Sequence, residues 1–308
     1  MTETRRLPET IDEMKAVLKK MFTEESKARG LAFRPRPNDV LIATYPKCGT
    51  TWIQQIVHGL RSNGSMQFEE ICEVIPWIET AFDLGQECDA PQVASPRAFK
   101  THLSWDHIMK GARYIYVIRD PKQVLLSFYH FFSGFMFVPG SISLEAFANS
   151  FFITGSKSGR YWEHLCSWWP QRHEDHTLFL TFDELKRDLD STVRRIAGFV
   201  GCTLTEDQML RVIHQSSYAF MHDHRHQFDD HFLIDGRREA SGLPAGTVGS
   251  KVRNKDAQGT IKHLPDDLSL QLDALWAEEI ETVLGFASYD ELVDQLDREN
   301  QALKQANG

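Results

Sequence analysis

Lys47 stands in the turn Tyr45-Pro46-Lys47-Cys48-Gly49. An apolar run, Val40-Leu41-Ile42-Ala43, precedes the turn, and a segment opening at Thr50-Thr51 follows it, with Trp52, Ile53, Ile56, Val57 and Leu60 at helical spacing. A strand, a glycine-bearing loop with a lysine, and a helix start make an anion trap in that order. Loop N–H groups and the positive end of the helix dipole converge on one point, and the ammonium adds a full charge. A doubly charged phosphate suits that geometry better than a neutral ligand. The pattern is not the nucleotide P-loop, G-x-x-x-x-G-K-[ST]: Lys47 precedes Gly49, and no first glycine stands at the required offset. On these residues alone, a phosphate site and a lysine that merely sits in a strand–helix turn both stay open.

Two other predicted strand ends carry charged or titratable groups. Arg97–His102 reads as a short strand ending in Lys100-Thr101-His102. Tyr114-Ile115-Tyr116-Val117-Ile118 is the strongest strand pattern, continuous, β-branched and aromatic. It stops at Arg119-Asp120, and Pro121 opens a helix through Val124, Leu125, Phe128 and Tyr129.

Around these lie an amphipathic helix over 11–27, a stiff turn at 34–39, a helix around 161–169, a strand over 178–182 and a helix over 193–200. The stretch 222–262 is polar, rich in histidine, glycine and arginine, and predicts a long functional loop. His222, His224 and His226 alternate there without a strand pattern, so they read as a solvated loop and not as metal ligands. An amphipathic run over 268–303 closes the chain. Strand–helix alternation predicts an α/β fold: a single doubly wound parallel sheet flanked by helices, with a P-loop-like phosphate-binding strand–loop–helix and ligands at the carboxyl ends of the strands. We expect one domain over 1–308, with a core of about 34–265 and a helical extension of about 268–306.

Composition excludes several classes. The net charge of −9 argues against non-specific binding to nucleic acid or an anionic membrane. The five cysteines are scattered and lack a C-x-x-C pair, so neither a disulfide framework nor a zinc site is indicated. No stretch approaches the roughly 20 apolar residues of a membrane span, and the N-terminus lacks a signal-peptide core. The expectation is a cytoplasmic protein.

The motifs resemble those of the cytosolic sulfotransferase family. Tyr45-Pro46-Lys47-Cys48-Gly49-Thr50-Thr51-Trp52 is similar to its 5′-phosphosulfate loop, Lys100-Thr101-His102-Leu103 to its catalytic segment, and Tyr116–Lys122 with Ser127-Phe128-Tyr129-His130 to its 3′-phosphate motif. The resemblance implies transfer of a sulfuryl group from 3′-phosphoadenosine-5′-phosphosulfate (PAPS), leaving 3′-phosphoadenosine-5′-phosphate (PAP), to a hydroxyl or amine of a small hydrophobic acceptor. It also implies the roles. Catalytic residues would be His102 as base, Lys47 at the leaving phosphate, Lys100 at the sulfuryl oxygens, and Ser127, which in the family contacts the 3′-phosphate and the catalytic lysine. The donor would be held by Lys47, Cys48, Gly49, Thr50, Thr51, the stacking Trp52, Arg119, Ser127, Phe182 in place of a family tyrosine, and Ser216, Tyr218 and Met221. No metal is implied, since lysines and loop amides supply the charge. Chemically this is coherent: a loose, in-line transfer needs a cation at the bridging oxygen and a base at the acceptor.

The late loop departs from the family pattern R-K-G-x-x-G-D-W-K. Arg253-Asn254-Lys255 would still help hold the donor, with Arg253 at its 3′-phosphate, but the lysine–glycine pair is broken and the tryptophan is missing, which bears on donor affinity. The family's dimer signature is not found after Lys262, so oligomeric state is left open. A nucleotide-binding homologue without turnover and a P-loop kinase are the competing readings; Lys47, Lys100 and His102 disfavour the first, the displaced lysine the second. Trp77, Phe82, Phe131, Phe132, Phe135, Phe137 and Phe147 serve equally as acceptor pocket or as core.

Overall fold

Every strand of the sheet is apolar at consecutive positions, because both of its faces are covered. In the computed structural model, which describes residues 5–155, 159–252 and 261–306, β1 (Val40–Thr44), β2 (Ala98–Thr101), β3 (Arg113–Ile118) and β4 (Thr177–Thr181) pair in parallel in the order β2-β1-β3-β4. Alternate side chains of each strand enter opposite layers. Val40, Ile42, Ile115, Val117 and Leu180 meet Ile53, Ile56 and Leu60 of the Thr50–Arg61 helix and Val193 and Ile196 of the Leu189–Val200 helix. Leu41, Ala43, Tyr114, Tyr116 and Phe179 meet the aromatic layer on the other face, which includes Phe128, Tyr161 and Trp168. The predicted single doubly wound sheet is the one observed.

The chain leaves β1 for β2 on one side and returns to β3 on the other. This makes the crevice beyond β1 and β3 the topological switch point, where open parallel sheets hold ligands. At the opposite edge, buried Arg97 forks onto Asp39, with Nε 2.9 Å from Oδ1. Asp39 in turn accepts from the Arg36 N–H at 2.7 Å, so the expected turn into β1 is bolted to the start of β2.

Three expectations need correction. The helix predicted over 11–27 is two, Ile11–Met21 and Glu24–Ala32. Thr23 divides them by capping the second, and its hydroxyl also donates to Asp83 at 2.7 Å. The stretch 222–262 is not one loop, for His231–Ser241 is a helix that buries Leu233 and Ile234. The closing run is broken at Gly285, whose φ of 81° ends one helical segment before Tyr289–Ala306 begins. That last helix packs on its own chain: Leu292 and Leu296 are buried and Asp297 takes an ion pair from Arg187 at 2.9 Å. Among the described residues no helix is long and apolar enough to cross a membrane.

Candidate active site

The loop after β1 is shaped by two left-handed residues, Lys47 (φ 70°) and Gly49 (φ 106°), and closed by the Cys48 N–H donating to the Tyr45 carbonyl at 3.2 Å. A Cβ on Gly49 would lie 3.0 Å from the Phe182 ring, so glycine is required for space as well as for φ. Gly49 caps the Thr50–Arg61 helix without a side-chain hydrogen bond, which leaves the first-turn amides facing the crevice. Arg119, one residue beyond β3, donates from Nη1 to the Lys47 carbonyl at 3.0 Å and lies over the Phe182 ring, 4.1 Å from its centroid. Its buried Nε has no hydrogen-bond partner among the described residues. A half-buried guanidinium with a spare donor beside an open helix start fits a phosphate group.

His102, beyond β2, is held by its neighbours on both sides. Lys100 sits between β1 and the segment 76–78: its N–H donates to the Pro76 carbonyl at 2.8 Å, and its carbonyl accepts from Ile78 at 3.0 Å. The His102 N–H donates to Glu79 at 2.7 Å, and Nδ1 meets the Thr44 carbonyl at 2.8 Å. A carbonyl only accepts, so Nδ1 carries the proton and Nε2 is left with its lone pair. Burial, then Lys100, presses the imidazole well below its ordinary value, against the pull of the Thr44 carbonyl. His102 is therefore neutral near pH 7 and able to accept a proton.

The Lys47 ammonium lies 3.6 Å above the Phe131 ring, and the Lys100 ammonium 4.0 Å above Trp77. Burial, followed by the charge of Lys251, lowers Lys47 well below an ordinary lysine; Asp230 opposes this. A cavity of about 1030 Å³ takes in Lys47, Gly49, Thr50, Thr51, Trp52, Lys100, His102, Arg119, Ser127, Phe182, Tyr218 and Met221. The predicted residues thus converge from widely separated segments. Trp77, Phe131, Phe132 and Phe135 line the same space, whereas Phe137 and Phe147 are core and Phe82 is exposed beneath Arg29.

Two expected residues are placed differently. Cys48 turns its side chain into the core under the loop, where burial pushes the thiol up to about 12, so it is no reactive thiolate. Ser216 is buried off the cavity, and its carbonyl accepts from Trp52 Nε1 at 2.7 Å; Ser217 lines the cavity instead. Trp52 meets Phe182 edge to face, with centroids 5.6 Å apart. Arg253, Asn254 and Lys255 lie outside the described residues. Missed in the sequence were Asp230 and Lys251, both on the cavity wall; each stands in a polar stretch with no periodicity to mark it.

Residues 37–283 match the sulfotransferase domain family, and the chain belongs to that family. Rabbit (Oryctolagus cuniculus) sulfotransferase 1C2 is 30% identical over 270 residues, 82% of this chain and 86% of that protein. Among solved structures, mouse sulfotransferase SULT7A1 complexed with PAP superposes with a TM-score of 0.65 at 18% identity, covering 92% of this chain and 95% of that one. Retinol dehydratase in a complex with retinol and PAP gives 0.62 at 20% identity, covering 91% and 96%.

Proposed function

We propose that this chain transfers a sulfuryl group from PAPS to a hydroxyl or amine of a small hydrophobic acceptor. The observation that carries the reading is the convergence of Lys47, Lys100, His102 and Arg119 on one cavity at the open start of the Thr50–Arg61 helix. When bound, the donor supplies an activated S–O bond and a phosphate leaving group. Lys47 and the loop amides bear the charge that builds on that phosphate as the bond breaks. His102 Nε2 takes the acceptor's proton as the new S–O bond, or S–N bond for an amine, forms, and Lys100 holds the sulfuryl oxygens. Arg119 and Ser127 receive the 3′-phosphate, while Trp52 and Phe182 flank the adenine. The apolar wall of Trp77, Phe131, Phe132 and Phe135 takes the acceptor, as a small apolar molecule such as the retinol of the related dehydratase would require. We read the chain as one sulfotransferase domain with a C-terminal helical extension. Its five free cysteines support the cytoplasmic setting expected from the sequence.

Calorimetric titration with PAP tests this. The wild type is expected to bind with micromolar affinity, and Lys47→Ala and Arg119→Ala each to weaken binding by about tenfold or more. An acceptor screen with His102→Ala as control then separates an enzyme from a nucleotide-binding homologue. Absence of PAP binding by well-folded protein overturns the reading.

A further inference from the structure

Behind the cavity lies a buried charge cluster to which neither the motifs nor the proposed reaction assign a role. Asp230 is 4% exposed and adopts φ 59°, a strained conformation for a residue other than glycine, at the start of the His231–Ser241 helix. Its carboxylate forms an ion pair with Lys251, and the same ammonium lies 3.6 Å from Glu70, which is wholly buried. Both Asp230 and Lys251 line the cavity that holds Lys47, Lys100 and His102. The Asp230 carboxylate feels Lys47 and Lys100 as well as Lys251. Glu70, Cys72 and Asp230 place ligand atoms within 4.8 Å of one another, but the Lys251 ammonium already serves as their cation.

A carboxylate is an unexpected group on the wall of this cavity. The incoming sulfuryl group is itself anionic, and two like charges in a dry cavity repel strongly. Lys251 resolves the conflict. We propose that Asp230 and Lys251 form a positioning pair for sulfuryl transfer: Lys251 neutralises Asp230, so that the anionic sulfuryl group meets the ammonium groups of Lys47 and Lys100 without repulsion from the carboxylate. Burial pushes the Asp230 carboxyl upward, but Lys251, Lys100 and Lys47 outweigh it and keep the group ionised. The inference rests on the sulfuryl-transfer reading above.

PAPS and PAP differ by the sulfuryl group alone, so the ratio of their dissociation constants reports this locus without an acceptor. Measured calorimetrically on the full chain, Lys251→Met is expected to lower the preference for PAPS over PAP on the order of tenfold, because Asp230 is left uncompensated. Adding Asp230→Asn to Lys251→Met is expected to restore the preference to within about threefold of wild type. If Lys251→Met weakens both nucleotides by the same factor, or if Asp230→Asn fails to reverse its effect, the pair is structural and the proposal falls. Should Lys251→Met not fold, Asp230→Asn and the double variant are compared instead. With the carboxylate gone, loss of Lys251 should leave the ratio unchanged, and a further tenfold drop overturns the proposal. A wild type that binds neither nucleotide overturns the donor reading itself. With a wild type that binds both, a failure in the variants counts against the pair alone.

Discussion

Lys47 is half-buried and His102 buried, and the loss of solvent acts on them to opposite chemical ends. For His102 the loss of solvent keeps the ring neutral, the state a proton acceptor needs, and the Thr44 carbonyl fixes which nitrogen does the accepting. For Lys47 the same loss works against its role, since a neutral amine stabilises no leaving phosphate. The Phe131 ring offers the ammonium only a weak partner, and Lys251 and Lys100 add like charge. A phosphate beside Lys47 would reverse this balance and raise the amine's pKa. PAP binding is therefore expected to take up protons from solution, and affinity to fall as pH rises past the value Lys47 has in the complex. Calorimetry in buffers of different ionisation enthalpy reads the uptake directly. The wild type is expected to take up more protons than Lys47→Met; equal uptake by both would place the titrating group elsewhere.

At the scale of elements, the loop between β1 and the Thr50–Arg61 helix is where conformation and contact coincide. Gly49→Ala meets a φ of 106° and a Phe182 ring 3.0 Å from the new methyl. Gly85→Ala meets a φ of 70° with nothing within 4 Å. The first substitution is expected to destabilise by about 1–3 kcal/mol and to weaken PAP, and the second by about 1 kcal/mol with no effect on PAP; denaturant unfolding and titration check both. Equal stability loss would mean that the ring yields freely. This loop was legible in the sequence because strand, turn and helix are contiguous there, and so were His102 and Arg119 at the ends of short apolar runs. Elements set by long-range partners were not. Nothing in the periodicity of 11–27 announces that Thr23 will cap a second helix against Asp83. The His231–Ser241 helix buries only Leu233, Ile234 and Ser241, too few to show a period among charged neighbours. Asp230, Lys251 and Glu70 come together from three distant segments, and no local pattern can reveal such a cluster.

Over the whole molecule, the covered sheet that makes the crevice possible also buries histidines to which the proposed reaction gives no role. His58, on the Thr50–Arg61 helix, packs edge-on against Phe68 with centroids 5.2 Å apart, and burial, with Arg61 adding to it, lowers its pKa from 6.5 to about 3. His164 meets the Tyr116 hydroxyl at 3.1 Å on the opposite face of the sheet, and burial lowers it likewise to about 3. Between pH 6.5 and about 3 the unfolded chain binds protons at these rings that the folded chain excludes. Stability should accordingly rise with pH through that window and be lost on acidification. Glu79, Asp120 and Glu184 act in the opposite sense, since burial raises their carboxyl pKa values and favours protonation in the folded chain. The histidine contribution is therefore read as a difference between variants. From pH 7 to pH 4.5 the melting temperature of His58→Gln/His164→Gln should fall on the order of 5 °C less than that of the wild type in scanning calorimetry. Parallel curves would show that the rings gain compensating contacts on protonation.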